Sequence, residues 1–592
     1  RLRPNRKVVR IMEMKRNNIC TKLIVAALVL SMGIGAGVPV YAAETSSETV
    51  AAEQQERQEL TVAEKAAAYF ANFPADKHVV SAANLLERVA AGEDICVLDI
   101  RSAEDYAAGH IQGAINVPYG IVVAESLDKI PDDVPVLVYC YSGQTASQTI
   151  ALLNLAGKDA YNVSGGFNNG ISKEEAAAGL MTTEETTFGE ETYAVDEDVQ
   201  QAMVEYYTVA AENGSFNMSA EAVKNVLQDD DYYLVDLRSE NDYLKSRIAG
   251  AKQNIPFGQG METALANLPK DKKIIFQCYS GQTASQTVAI ARMMGLEAYN
   301  LSGGMGAEGG SGWLGAGYGV VKYTTQQFLN AKVERYFANL PDNKNQVSAS
   351  AFLTAVADGE DAVILDVRSA EDYAADHVQG AINVPYGVDV AAALDKIPTD
   401  KTVYVYCYSG QTASQTVLLL NLAGKQAVNV SGGFDNGISK EEAAAGLMTT
   451  EETTFGGETY EVDADIQAAI EDYYKQTAKE TYGKNNISAA QLAELMENSA
   501  DEICVVDLRS AEDYAAGHIE GAINLPYGKG MQENFSILPT NKTLILQCYS
   551  GQTASQTMAG LRVMGYTAYN LSGGMGAEGG SGWLGAGYEL VK

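Results

Sequence analysis

The chain alternates between short apolar runs and segments whose apolar side chains recur at helical spacing. In the first block, residues 63–72 and 84–91 carry apolar side chains at helical intervals and predict two helices. Ile95-Cys96-Val97-Leu98-Asp99-Ile100 is a nearly continuous apolar run, the pattern of a strand buried on both faces. Ala114-Ile115-Asn116-Val117-Pro118 predicts a shorter strand, and residues 134–139 a third that ends directly at Cys140. Residues 147–155 read as a helix closed by Gly157, and Ala160-Tyr161-Asn162-Val163 as a further strand halted by Gly165-Gly166. Strands alternating with helices imply an α/β fold, a parallel sheet flanked by helices on both faces.

The block repeats. The string Cys-Tyr-Ser-Gly-Gln-Thr-Ala-Ser-Gln-Thr begins at Cys140, Cys278, Cys407 and Cys548, at offsets of 138, 129 and 141 residues. That spacing belongs to domains rather than to a solenoid. Blocks one and three share a further segment from Phe167 and Phe434, and blocks two and four share a glycine-rich tail from Gly303 and Gly573. The order is therefore A-B-A-B, as a duplicated two-domain unit would leave it. The blocks run over residues 59–190, 191–322, 323–457 and 458–592. Acidic stretches such as residues 182–191 read as solvated linkers between them.

Composition narrows the class. The 592 residues are 46% hydrophobic and 20% charged, a globular mixture, with a formal net charge of −34. Such an acidic chain is unsuited to a nucleic-acid partner, which requires clustered Lys and Arg. Near the start, Lys15, Arg16 and Lys22 precede the apolar run 23–30, and Val40-Tyr41-Ala42 supplies a cleavage-type ending. Residues 14–42 thus read as an export signal, with Met14 or Met12 the natural start. The competing reading is a retained membrane anchor, for which the run is short. The expectation is a secreted or extracytoplasmic protein, with no membrane contact after signal removal.

Cys140 is the first candidate for chemistry. In open α/β sheets ligands gather beyond the carboxyl ends of strands, where this cysteine stands. Gly143 lets the following loop turn sharply and collect N–H groups at the start of a helix. Such a nest and the positive helix end favour a thiolate, the form that attacks sulfur. Ser142 and Thr145 can add hydroxyl donors. Cys96 and Cys504 lie inside apolar strand runs and read as core. Two of the blocks hold only one cysteine each, so no repeated intradomain disulfide is available. No cluster of His and Cys has metal-ligand spacing, and no cofactor motif stands out. The glycine-rich tails read as close-packed loops, with Trp313 and Trp583 as packing anchors.

These motifs resemble the rhodanese-like sulfurtransferase superfamily. The match is carried by Leu98-Asp99-Ile100-Arg101-Ser102-Ala103-Glu104-Asp105-Tyr106, by the segment from Gly109 to Pro118, and by the loop Cys140-Tyr141-Ser142-Gly143-Gln144-Thr145. The resemblance covers nearly all of the chain beyond about Leu60. It implies four tandem rhodanese-like domains, each with a five-stranded parallel sheet. It also implies transfer of sulfane sulfur through a cysteine persulfide, from a small-molecule donor to cyanide or a thiol. Carried over by motif, the nucleophiles are Cys140, Cys278, Cys407 and Cys548. The substrate-binding loops comprise Tyr141, Ser142, Gly143, Gln144 and Thr145; Ser280, Gly281, Gln282 and Thr283; Ser409, Gly410, Gln411 and Thr412; and Ser550, Gly551, Gln552 and Thr553. The Asp-x-Arg pairs, Asp99 with Arg101, Asp236 with Arg238, Asp366 with Arg368 and Asp507 with Arg509, read as braces at strand ends. His110, His377 and His518 read as structural, since the second block replaces the histidine with Arg247 and keeps its loop.

The loops depart from thiosulfate-using members of the family, which carry Arg or Lys in or beside the loop. All four lack a basic residue, which favours a persulfide or polysulfide donor over thiosulfate. The same lack, with Ala146 at the seventh position, excludes the Cys-x5-Arg cradle of phosphatases. Two function classes remain open: a multidomain sulfurtransferase, and a sulfur-carrying or protein-binding module with little turnover.

Overall fold

The computed structural model describes residues 60–592, so the export segment lies outside the described residues. The chain divides near residue 321 into two compact units, each holding two of the repeated domains.

In the first domain the five-stranded sheet has the order Val79–Val80, Ala160–Val163, Val136–Tyr139, Cys96–Asp99, Ala114–Asn116. Every pairing is parallel. Alternation along the strands builds two cores. Leu98, Val136 and Val138 join Ala146, Ile150 and Leu153 of helix Gln144–Leu155 on one face. Val97, Leu137 and Tyr139 join Leu85 and Leu86 of helix Ala82–Ala91 on the other. That second helix has the caps its ends require: Ser81 Oγ accepts from Asn84 N–H at 3.1 Å, and Gly92 turns left-handed at φ 63°. The other three domains repeat the same five-strand parallel order, and the four together are the α/β architecture expected.

Within each unit the segment leading into one domain lies on the other. Helix Val62–Ala67 and the aromatic turn after it reach the second domain. There Phe70 and Phe73 meet Phe257 edge-on at 5.7 and 5.2 Å, and Gln286 Nε2 donates to Tyr69 Oη at 3.0 Å. In return, helix Glu197–Glu212 lies on the first domain. Tyr206 Oη donates to Gln148 at 2.9 Å, and the hydroxyls of Tyr207 and Thr149 meet at 3.2 Å. The second unit repeats the exchange through Tyr336 with Gln556 and Tyr473 with Gln415. One apolar core therefore runs through both domains of the first unit.

Two expectations need correction. The first helix closes at Ala68 instead of continuing to residue 72, so that Tyr69 and Phe70 can turn onto the neighbouring domain. The acidic stretch 182–191 is no free linker. Met181–Thr182 pairs antiparallel with His110–Ile111, Thr186 bridges to Ile115, and Tyr193 N–H donates to Asp128 O at 2.7 Å. Its acidic side chains are solvated while its backbone is docked on the domain.

Candidate active site

Strand Val136–Tyr139 carries the chain to the carboxyl edge of the sheet, and Cys140 follows at once. Gly143 sits at φ 83° and caps helix Gln144–Leu155, folding the loop back over the sulfur. Gly143 N–H donates to Cys140 Sγ at 3.1 Å and Ala146 N–H at 3.4 Å. The same pair recurs at Cys278 (3.1 and 3.4 Å) and Cys407 (3.1 and 3.3 Å), and Gly551 N–H reaches Cys548 Sγ at 3.1 Å. Each sulfur is buried. Converging N–H dipoles at a helix N-terminus are what a sulfur anion needs.

The loop is held from beneath. Phe167 N–H donates to Cys140 O at 2.7 Å and Asn168 N–H to Tyr141 O at 2.9 Å. This approach is possible because Gly166 has no side chain: a β-carbon there would stand 2.4 Å from Cys140 O, and its φ is +59°. Gly166→Ala is therefore expected to cost about 1–3 kcal/mol. Faster hydrogen exchange in peptides covering 136–170, with peptides of the second unit unchanged, is the corresponding readout.

From above, Tyr141 ties the loop to helix Ala103–Ala108, which follows the Asp-x-Arg-Ser motif. Its hydroxyl donates to Asp105 Oδ2 and accepts from Ser102 N–H at 3.1 Å. The tyrosine's bond first, and next that of Ser102 Oγ, which donates to Asp105 Oδ2 at 2.8 Å, hold the Asp105 carboxyl below its ordinary value. Tyr279 with Asp242, Tyr408 with Asp372 and Tyr549 with Asp513 repeat the tie. Sequence reasoning assigned Asp105 no role. The signal was present in the recurrence of this aspartate 36 residues before the loop tyrosine in three blocks and 37 before it in the second.

The remaining loop side chains divide. Ser142 Oγ accepts from Gln144 Nε2 at 3.3 Å, and the Ser280, Ser409 and Ser550 hydroxyls accept the same way from their glutamines at 3.2 Å. Thr145, Thr283 and Thr553 are half-buried beside the loop, and Thr412 is buried. The Oε1 atoms of the four glutamines reach the adjoining domain of their own unit.

Arg101 lies just past the end of strand Cys96–Asp99, with Nη2 2.6 Å from Asp99 Oδ2 and 2.8 Å from Gly109 O, and its guanidinium stacks on Phe167 at 3.8 Å. Both partners of the ion pair are buried, and the other three pairs match it at 2.6–2.7 Å. These are braces. His110 stacks on Tyr106, and its ring nitrogens face Tyr106 O at 2.8 Å and Glu184 O at 3.0 Å. It pins the docked acidic stretch and lies away from the sulfur's own donors. Cys96 is packed in its strand, and burial pushes its thiol up to about 12. Trp313 is buried and donates through Nε1 to Gly319 O at 2.9 Å.

The profile of the rhodanese-like domain matches residues 81–173, 219–307, 348–440 and 488–577. The chain belongs to the rhodanese-like domain family. Its similar proteins include the thiosulfate sulfurtransferase GlpE of Pseudomonas fluorescens, 40% identical over 72 residues, which are 12% of this chain and 65% of that one. GlpE of Pseudomonas putida (strain GB-1) is 41% identical over 76 residues, 13% of this chain and 68% of the relative. Each such match spans about one rhodanese-like domain and about two thirds of the relative's length. A solved thiosulfate sulfurtransferase from Pseudomonas aeruginosa aligns over 87% of this chain and 90% of its own, at 19% identity and a TM-score of 0.18. Among the described residues there is no group of His, Cys, Asp and Glu that could hold a metal ion.

Proposed function

We propose that this protein is an exported rhodanese-type sulfurtransferase that carries sulfane sulfur as a persulfide on Cys140, Cys278, Cys407 and Cys548. The observation that carries the reading is the backbone N–H of the loop glycine on every loop sulfur, joined in the first three domains by a second donor, Ala146 N–H in the first. The export reading rests on the basic and apolar pattern of residues 14–42.

In the first half-reaction the Cys140 thiolate attacks the sulfane sulfur of the donor. A new S–S bond forms at Cys140, the donor's own S–S bond breaks, and its leaving group departs with that electron pair. The leaving group is sulfite for thiosulfate and a thiolate for a persulfide. The N–H groups of the loop hold the negative charge that moves onto the terminal sulfur. In the second half-reaction cyanide or an acceptor thiolate takes that sulfur, the protein S–S bond breaks, and the cysteine thiolate returns. With no Lys or Arg in any loop, no loop cation meets the sulfonate of thiosulfate, so polysulfide and persulfide are the favoured donors.

Intact-mass measurement after incubation with polysulfide, and separately with thiosulfate, tests this. The expected result is a gain of one sulfur at each loop cysteine, faster from polysulfide, and its removal by cyanide as thiocyanate. Sulfur that loads but never turns over would favour the carrier-module reading. No adduct from either donor on free thiols would sink both.

A further inference from the structure

The glutamine of each cysteine loop is committed to the other domain of its pair. Gln282, in the second domain's loop, accepts through Oε1 from Asn162 Nδ2 at 2.9 Å and from Gly165 N–H at 3.2 Å in the first. Gln144 returns the contact, accepting from Asn300 Nδ2 at 2.9 Å and Gly303 N–H at 3.3 Å. The second unit repeats both halves. Gln552 takes Asn429 and Gly432, and Gln411 takes Asn570 and Gly573, at 2.8 and 3.3 Å in each case. All four asparagines are buried.

The contact falls where the sulfur's donors are. A β-carbon built on Gly143 would stand 2.4 Å from Gln282 Oε1, so the amide rests against the residue whose N–H points at Cys140. Gly281 meets Gln144 in the same way at 2.8 Å. Gly165, the other end of the Gln282 contact, leads through Gly166 to Phe167, whose N–H holds the Cys140 carbonyl. In the second domain Gly303 leads to Met305, whose N–H holds Cys278 O at 2.7 Å. The hydrogen bonds close a circuit: first loop, second turn, second loop, first turn, and back.

We infer that Gln144, Gln282, Gln411 and Gln552 are positioning residues that act in trans, each holding the cysteine loop of the neighbouring domain, so that the two sites of a pair are coupled. This rests on the loop cysteines being the reacting groups. Removing the Gln282 amide strands the Gly165 N–H and the Asn162 amide in a buried place, and it frees Gly143 to shift from Cys140. Its own loop loses only the 3.2 Å bond to Ser280. Coupling of this kind is reciprocal, so sulfur added at one loop is felt at the other.

The test uses the full chain with Gln282→Ala, Gln144→Ala and Gln282→Glu, mapping sulfur loading from polysulfide at each cysteine by peptide mass. Gln282→Ala is expected to slow loading at Cys140 about tenfold, the worth of one good hydrogen bond. Cys278 should lose much less, and Cys407 and Cys548 nothing. Gln144→Ala should give the mirror image, with Cys278 the slowed site. Gln282→Glu, which keeps the acceptor oxygens, should restore most of the rate at Cys140. Alkylation with iodoacetamide reads the same pattern without any sulfur transfer, so a failure of the sulfur chemistry is told apart from a failure of the coupling. There the Cys140 rate departs from that of the unaltered chain much further than the Cys278 rate does. Equal losses at both cysteines, a loss confined to the glutamine's own loop, or unchanged rates would overturn the inference.

Discussion

Serine in place of Cys140, Cys278, Cys407 and Cys548 together is expected to bring thiocyanate formation down to the uncatalysed rate, more than about a thousandfold below the unaltered chain. The fold should survive. Each sulfur accepts N–H bonds at 3.1 Å from the loop glycine, and a serine oxygen at the same place can accept from the same donor. What is lost is the nucleophile, because a hydroxyl whose partners are backbone N–H groups rather than a base does not ionise in the neutral range. The opposite result is expected for Cys96→Ser. That thiol sits among apolar strand neighbours, so the exchange buries a hydroxyl and costs about 1–3 kcal/mol while turnover stays. Cyanide-dependent turnover and a melting curve on the two proteins separate the roles. Residual turnover in the fourfold variant above the uncatalysed rate would remove the loop cysteines from the mechanism. Single serine variants then rank the four sites.

How much of this was legible beforehand differs by feature. The sheet was, because a parallel strand buried on both faces has to be nearly continuously apolar, as Cys96–Asp99 is up to its last residue and as Val136–Tyr139 is. The loop was, because the glycine at φ 83° cannot be exchanged cheaply and recurs with its cysteine. Strand Val79–Val80 was not, since two residues carry no period. Nor was the docking of residues 181–186: acidic side chains there point to solvent, and the contacts are made by backbone, on which sequence is silent. The exchange of leading helices was hidden for another reason. Tyr206, Tyr207 and Phe70 read as ordinary amphipathic positions, and nothing local says which domain's face they cover. The loop glutamines look like ligand-binding groups in sequence, and only the three-dimensional pairing shows their Oε1 atoms engaged across the domain boundary.

Raising the pH past the ordinary tyrosine range is expected to unfold both units cooperatively, and the exchanged helices supply the reason. Tyr206 and Tyr207 in the first unit, and Tyr473 and Tyr474 in the second, are buried against the neighbouring domain, as Tyr139 and Tyr406 are within their own sheets. Burial pushes all of these hydroxyls up, Tyr473 to about 12, Tyr139, Tyr207 and Tyr474 higher still, and Tyr206 and Tyr406 well above the ordinary value. An unfolded tyrosine ionises near 10.0. Above that pH the unfolded chain has given up protons that the folded chain keeps, so it binds fewer, and stability must fall as pH rises. Each such tyrosine contributes about 1.4 kcal/mol per pH unit. Three in a unit give roughly 4 kcal/mol per pH unit, which would exhaust an ordinary domain stability of about 5–15 kcal/mol within a few pH units. Lys158 and Lys425, pushed down by burial, act in the opposite sense, but only below the ordinary lysine value of 10.5. Tyrosinate absorbance followed together with far-ultraviolet circular dichroism is the measurement. The buried tyrosines should ionise in one steep step that coincides with loss of helix. A shallow titration near 10.0 by all tyrosines, with the helices intact, would mean that the exchanged helices do not bury their hydroxyls in solution.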